Sequence, residues 1–208
     1  MEKFEINEHN DLRAYYNDSS RINEITVPNG VKFISAYVFS GYNINHIILP
    51  DSVEYVDYAT FHGSGLYTTA TSYITYRGAK IHVCGYYHYV RDVIEMIRDK
   101  DYSKVLDHDL KYPVVMQIFF NDGDDVTTAY IKKNFKKFFI FLTDEIILWN
   151  KLSFTYDVYN PLEYMEKLIK SGKFISRRNI ETYVKIADEK ECYSVFDILN
   201  EYREENLT

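Results

Sequence analysis

The sequence predicts an α+β fold: a short solenoid of stacked coils over about residues 1–83, then an α-helical domain of antiparallel helix pairs over 84–208. Three observations predict it. A segment near the start repeats itself after 22 residues. From His88 the spacing of apolar residues changes from about 2 to about 3.6. The last third carries helix start and stop signals in regular succession.

The repeat is read first. Arg21-Ile22-Asn23-Glu24-Ile25-Thr26-Val27-Pro28 is matched by Asn43-Ile44-Asn45-His46-Ile47-Ile48-Leu49-Pro50. The match continues, with Val31, Phe33, Ile34, Phe39 and Gly41 becoming Val53, Tyr55, Val56, Phe61 and Gly63. A fixed period near 20 residues marks coils that bury their apolar sides only against neighbours. Ile22, Ile25, Ile44 and Ile47 should form a buried ladder. Alternation around Ile25 and Ile47 reads as a short strand, and the proline ends it. Asn29-Gly30 and Asp51-Ser52 form turns. Val31, Phe33, Ile34 and Phe39 should face the core on the return limb. Gly41 and Gly63 suit bends with positive φ. The polar residues 1–20, with a short helix expected around Asp11–Tyr16, should cap the first coil. A fading third copy starts at Leu66, with Thr69 and Thr71 where Ile47 and Leu49 stood. Ser72–Tyr76 and Lys80–Val83 should pair across Arg77-Gly78-Ala79.

The segments EITVPNGVKFISAYVFSG and HIILPDSVEYVDYATFHG resemble the BspA-like class of bacterial leucine-rich repeat over about residues 20–72. Its units read roughly I-x-I-P-x-x-V-x-x-I, then an aromatic residue and a glycine. The resemblance implies a leucine-rich repeat solenoid.

Beyond it, Val90, Val93, Ile94 and Ile97 share a helical face. Pro113 opens the apolar run Val114–Phe120, closed by a turn at Asn121–Asp124. Ile131, Phe135, Phe138, Phe139 and Leu142 make the clearest stripe, with Lys132, Lys133, Lys136 and Lys137 opposite. Asn160-Pro161 reads as an N-cap with a first-turn proline, and Gly172 as a stop. Leu162, Met165 and Ile169 form that helix's face. Ile180, Tyr183, Val184 and Ala187 form the next, and Cys192, Val195, Phe196 and Leu199 the last. Short helices with tight connections suggest an α-hairpin stack. The run YMEKLIKSGKFISRRNIETYVKIADEKECYSVFDILNEY resembles ankyrin-type helix pairs over about residues 160–204.

Composition narrows the function. The 208 residues are 46% apolar, enough for a sizeable core, and 21 are tyrosines, a residue suited to interfaces. A net charge of −7 disfavours a general nucleic-acid binder. Two distant cysteines, Cys84 and Cys192, suit a reducing compartment. The charged start has no signal-peptide pattern, and no apolar run reaches membrane-spanning length. A cytoplasmic protein without a membrane is therefore expected.

Candidate chemistry is sparse. His82-x-Cys84-x3-His88 supplies three ligands where a structural zinc site uses four, so no bound metal or cofactor is expected. Asp122-Gly123-Asp124-Asp125 lacks the calcium-loop spacing and suits a helix entry. Asp107-His108-Asp109 has no nucleophile beside it. No glycine-rich phosphate loop is present. The lysine stripe suits a solvated face and the phenylalanines a core.

The expected function is therefore non-catalytic protein–protein interaction through the repeats. Outward residues between the buried strand positions form the expected docking face: Glu24 and Thr26, His46 and Ile48, then Thr68 and Ala70, with Tyr67 beside Ile48. The alternative is a small acidic inhibitor of a nucleic-acid enzyme, such as a phage-encoded antagonist of a bacterial defence nuclease. The other rival is an enzyme with an unrecognised site.

Overall fold

The structure, a computed structural model, describes residues 1–67, 71–83, 89–105, 107–152 and 160–207, leaving aside the side chains of Tyr67 and Leu152. The chain divides into two compact units, Met1–Gly123 and Asp124–Thr208.

In the first unit the 22-residue period shuttles the chain between two four-stranded sheets. One sheet holds β1 (Lys3–Ile6), β2 (Asp11–Tyr16), β4 (Phe33–Ile34) and β6 (Tyr55–Val56), in that order. The other holds β3 (Arg21–Thr26), β5 (Asn43–Leu49), β7 (Tyr73–Tyr76) and β8 (Ala79–His82). Strands one repeat apart pair in parallel: Leu12 opposes Ile34, Ile34 opposes Val56, and Ile25 opposes Ile47. The expected ladder forms, with Ile22, Ile25, Ile44 and Ile47 all buried. Turns are stitched across coils, since the Ser52 hydroxyl donates to the Val31 carbonyl at 2.8 Å and accepts from the Gly30 amide at 3.0 Å. Gly41 and Gly63 sit at φ +86° and +74°, one on each coil, where any Cβ would be strained.

Three expectations change here. Asp11–Tyr16 is strand β2, not a helix. Its alternation buries Leu12 and Tyr15, and β1 pairs with it in antiparallel fashion. Phe33 does not join Ile34 in the core. Adjacent strand residues point to opposite faces, so Phe33 stacks outside on Tyr55, with ring centroids 5.0 Å apart. In the third coil, Ile74 and Tyr76 oppose Ile47 and Leu49, in place of the expected Thr69 and Thr71. Thr71 lies ahead of β7, and Thr69 lies outside the described residues. The extra residues before β7 break the sequence period without breaking the pairing. The fully buried Tyr76 donates its hydroxyl to the Val53 carbonyl at 2.6 Å. The expected strand pair β7–β8 is present, turning at Arg77-Gly78 with φ +47° and +75°.

The sheets do not end in open edges at this end of the repeats. Helix α1 (Val90–Asp99) packs on β6, and Arg98 donates to the Glu54 carbonyl. Helix α2 (His108–Asp122) packs on β8. Its Gln117 side chain accepts from the Lys80 amide at 2.8 Å and donates to the Lys80 carbonyl at 3.0 Å. Asn121, one turn on, donates to the Gly78 carbonyl at 3.0 Å. An amide side chain thus supplies both bonds that a neighbouring strand would have made. These contacts carry the first unit to Gly123, beyond the boundary expected at 83/84. Gln117 is 6% exposed, so its loss strands polar backbone groups. Gln117→Met keeps the volume and should cost about 2–4 kcal/mol. Urea denaturation checks this through a lower midpoint at unchanged slope, together with faster exchange of the Lys80 amide.

The second unit is helical: α3 (Asp125–Leu152), α4 (Pro161–Lys170), α5 (Ile180–Glu189) and α6 (Tyr193–Asn206). Asp124 caps α3, its carboxylate accepting from the Thr127 amide and hydroxyl at 2.9 and 2.7 Å. That is the helix entry expected of the Asp122–Asp125 run. Asn160 caps α4 as its sequence predicts, accepting from the Leu162 and Glu163 amides. The phenylalanine stripe of α3 is core: Phe135 stacks on Phe174 at 5.1 Å and meets Tyr183 edge-on at 5.1 Å. Helices α4 and α5 each pack on both α3 and α6. No helix among the described residues is long and apolar enough to cross a membrane.

Candidate interaction surface

The outer face of the β3-β5-β7-β8 sheet is built by register. Ile25, Ile47, Ile74 and Ile81 oppose one another along the buried row. Their neighbours on either side must point outward. One outer row is Glu24, His46, Tyr73 and His82. The other is Thr26, Ile48, Thr75 and Lys80. Glu24 and Thr26 are exposed, whereas His46, Ile48, Tyr73, Thr75, Lys80 and His82 are half-buried. Ile48 stands between Thr26 and Thr75 in register and is half-buried.

The expected docking residues Glu24, Thr26, His46 and Ile48 thus come together on one face. The side chain of Tyr67, together with Thr68 and Ala70, lies outside the described residues. The shifted third coil instead brings Tyr73, Thr75, Lys80 and His82 beside His46 and Ile48. Sequence reasoning missed these four because it carried the 22-residue period one coil too far. The pairing of Ile74 with Ile47 was the signal that could have found them, since Tyr73–Tyr76 already alternates as a strand.

His46 is held on both sides. Its Nδ1 lies 2.9 Å from a Glu24 carboxylate oxygen and its Nε2 lies 2.9 Å from the Thr75 hydroxyl. A carboxylate only accepts, so Nδ1 donates to Glu24, and Nε2 shares a hydrogen bond with the Thr75 hydroxyl. The ring also packs on Tyr73, with centroids 4.1 Å apart, and the Lys80 ammonium lies 4.9 Å from the Tyr73 ring centroid. Asn45 donates to Asn23 at 3.4 Å on the adjoining coil. These lateral contacts link the side chains of neighbouring strands across the face.

Carboxylate, imidazole and hydroxyl in line have the order of a hydrolytic triad. Acyl transfer also needs donors aimed at a developing oxyanion. Strand β7 is internal, paired by β5 on one side and β8 on the other, so its amides serve the ladders. Glu24, His46 and Thr75 stand on β3, β5 and β7, so their hydrogen bonds clamp three neighbouring strands together.

The remaining candidates carry less. Asp107 caps α2 by accepting from the Asp109 amide, and His108 stacks on Tyr112 at 4.6 Å, so that trio has structural work. Cys84 and His88 lie outside the described residues, and among the described residues no three metal-binding side chains converge. An open cavity of about 290 Å³ at the start of α6 is lined by Ile147, Asn150, Lys151 and Glu191 to Ser194. Its buried Cys192 thiol lies 3.9 Å from the Ser194 hydroxyl, with no histidine in the lining to act as base.

Comparison with known proteins places the sheets and not the helices. No curated protein and no solved structure matches the chain. The ankyrin likeness of residues 160–204 therefore rests on their sequence. Residues 10–80, from the start of β2 into β8, match the family model described as BspA type Leucine rich repeat region (6 copies).

Proposed function

We propose that the protein is a non-catalytic interaction module that docks a partner protein on the outer face of the β3-β5-β7-β8 sheet. Leucine-rich repeats generally mediate protein–protein contacts, which supports the class of function. One observation carries the choice of face: the register sets Ile48 and Tyr73 diagonally across β5 and β7, on the same face as Glu24, Thr26, His46 and Lys80. A partly shielded apolar anchor inside a polar rim is how energetically dominant contacts are usually arranged. The clamp around His46 pre-orders this surface, which lowers the ordering cost of docking.

The inhibitor alternative draws on one short acidic row, Asp197, Glu201 and Glu205 on α6. Lys170 is set close enough to Glu201 and Glu205 for both to favour its charged form, behind the larger influence of Glu166. The repeat face has the broader support.

The test is capture of partners from the native host with the parent chain and with Ile48→Glu and Tyr73→Ala. Both variants should lose at least tenfold in capture and melt within a few degrees of the parent, since each change lies on the outer face. Undiminished capture by both would remove this face. A fluorophosphonate probe should leave Thr75 unmodified, and labelling there would overturn the non-catalytic reading.

A further inference from the structure

We propose that the protein self-associates head to tail through its helical unit. The acidic outer ridge of α6 in one copy docks on the lysine ridge of α3 in the next.

Both ridges follow from which helix face is buried. Helix α3 turns Ile131, Phe135, Phe138 and Leu142 inward, leaving Lys132, Lys133, Lys136 and Lys137 exposed. Elsewhere in this unit Lys167, Lys170, Lys185 and Lys190 each sit by a carboxylate. The four α3 lysines form no ion pair with any described residue. Helix α6 turns Val195, Leu199 and Tyr202 inward and exposes Asp197, Glu201 and Glu205. Nearby cations are otherwise engaged. Arg203 binds Glu181 at 3.0 Å and Asn200 at 2.8 Å, and Lys170 is held by Glu166 at 2.7 Å.

The ridges match in pitch. Lys132/Lys136, Lys133/Lys137 and Asp197/Glu201/Glu205 are all four-residue steps, about 6 Å along a helix. The ridges lie on different helices, with α4 and α5 each packing on both α3 and α6. Within one copy the α3 lysines form no ion pair with α6 among the described residues, whereas a second copy offers the complement of each ridge. The contact is heterologous, so successive copies add as rings or open chains rather than as an isologous pair. Exposed ion pairs are individually weak and screened by salt, so association is weak and ionic-strength dependent.

Sedimentation velocity on the full chain tests this. At low salt the parent should form concentration-dependent larger species, with the association constant falling about tenfold or more between roughly 0.02 and 0.3 M salt. Lys133→Glu/Lys137→Glu leaves two lysines and two glutamates on the α3 ridge and so removes that ridge's net charge, and Glu201→Lys/Glu205→Lys turns the α6 ridge basic. Each variant alone should be monomeric, and an equimolar mixture should associate. Circular dichroism checks their folding. If either unfolds, the neutral Lys133→Gln/Lys137→Gln chain replaces it, and association equal to the parent's then counts against the proposal. A parent that stays monomeric at low salt overturns it, as does a mixture of folded variants that stays monomeric. A monomeric parent that binds a DNA oligonucleotide through these lysines would instead make the ridge a phosphate-binding surface.

Discussion

Ile47→Asp should abolish cooperative unfolding of the repeat unit or lower its melting temperature by many degrees. Ile47 is fully buried, and its strand neighbours Ile25 and Ile74 are buried on either side. The substitution removes an aliphatic side chain from the centre of the stack and puts a carboxyl in its place. Truncation alone costs about 2–5 kcal/mol, and an unpaired buried carboxyl adds to that. A total of at least about 4 kcal/mol would be a large share of the stability of an ordinary domain. The sign with pH follows. The buried carboxyl is more easily accommodated when protonated, so its folded-state pKa is raised. The variant should therefore lose stability relative to the parent as pH climbs through the unfolded value toward the folded one. Melting followed by circular dichroism at mildly acidic and neutral pH checks both. A variant that melts like the parent would mean that Ile47 does not occupy the stack.

Phe135→Ala should be the most damaging single truncation in the helical unit, costing about 3–5 kcal/mol. Phe135 is 4% exposed and contacts Phe139, Phe174 and Tyr183 at once. It joins α3 to α5 and to the segment that follows α4. Removing the ring leaves a cavity bordered by three other rings, which cannot close around it without moving helices. Trp149, the one tryptophan of the chain, lies on α3 and reports locally. Its fluorescence in urea should show a midpoint well below the parent's. A Lys136→Ala control on the exposed face of the same helix should move it little. Equal midpoints for the two variants would mean that the phenylalanine stripe is not core.

Much of the fold was legible because it rests on local pattern. The paired sequences Arg21–Pro28 and Asn43–Pro50 carry the coil, since stacking needs the same apolar positions in each copy. The caps at Asp124 and Asn160 and the stripe Ile131–Leu142 were readable because each involves residues within one or two turns of one another. Asp11–Tyr16 was not. Six residues with polar members fit a helix or a strand about equally until β1 and β4 pair on either side. Phe33 was misassigned because homology of position between coils says nothing about which face of a two-residue strand looks inward.

By itself, the sequence determined that the chain stacks repeated coils, that helices follow, and that Ile25 and Ile47 are buried. These follow from hydrophobic periodicity, a property of neighbours along the chain. The tertiary structure alone decided the candidate face. Glu24, His46 and Thr75 belong to three strands, and only the parallel register sets the imidazole 2.9 Å from both partners. Likewise only packing placed Gln117 against Lys80, thirty-seven residues away in sequence, where an amide side chain closes a sheet edge. The physical reason is the same in both cases. A hydrogen bond between distant residues depends on distances of a few tenths of an ångström, and these are fixed by the register and packing of the whole unit rather than by any local propensity.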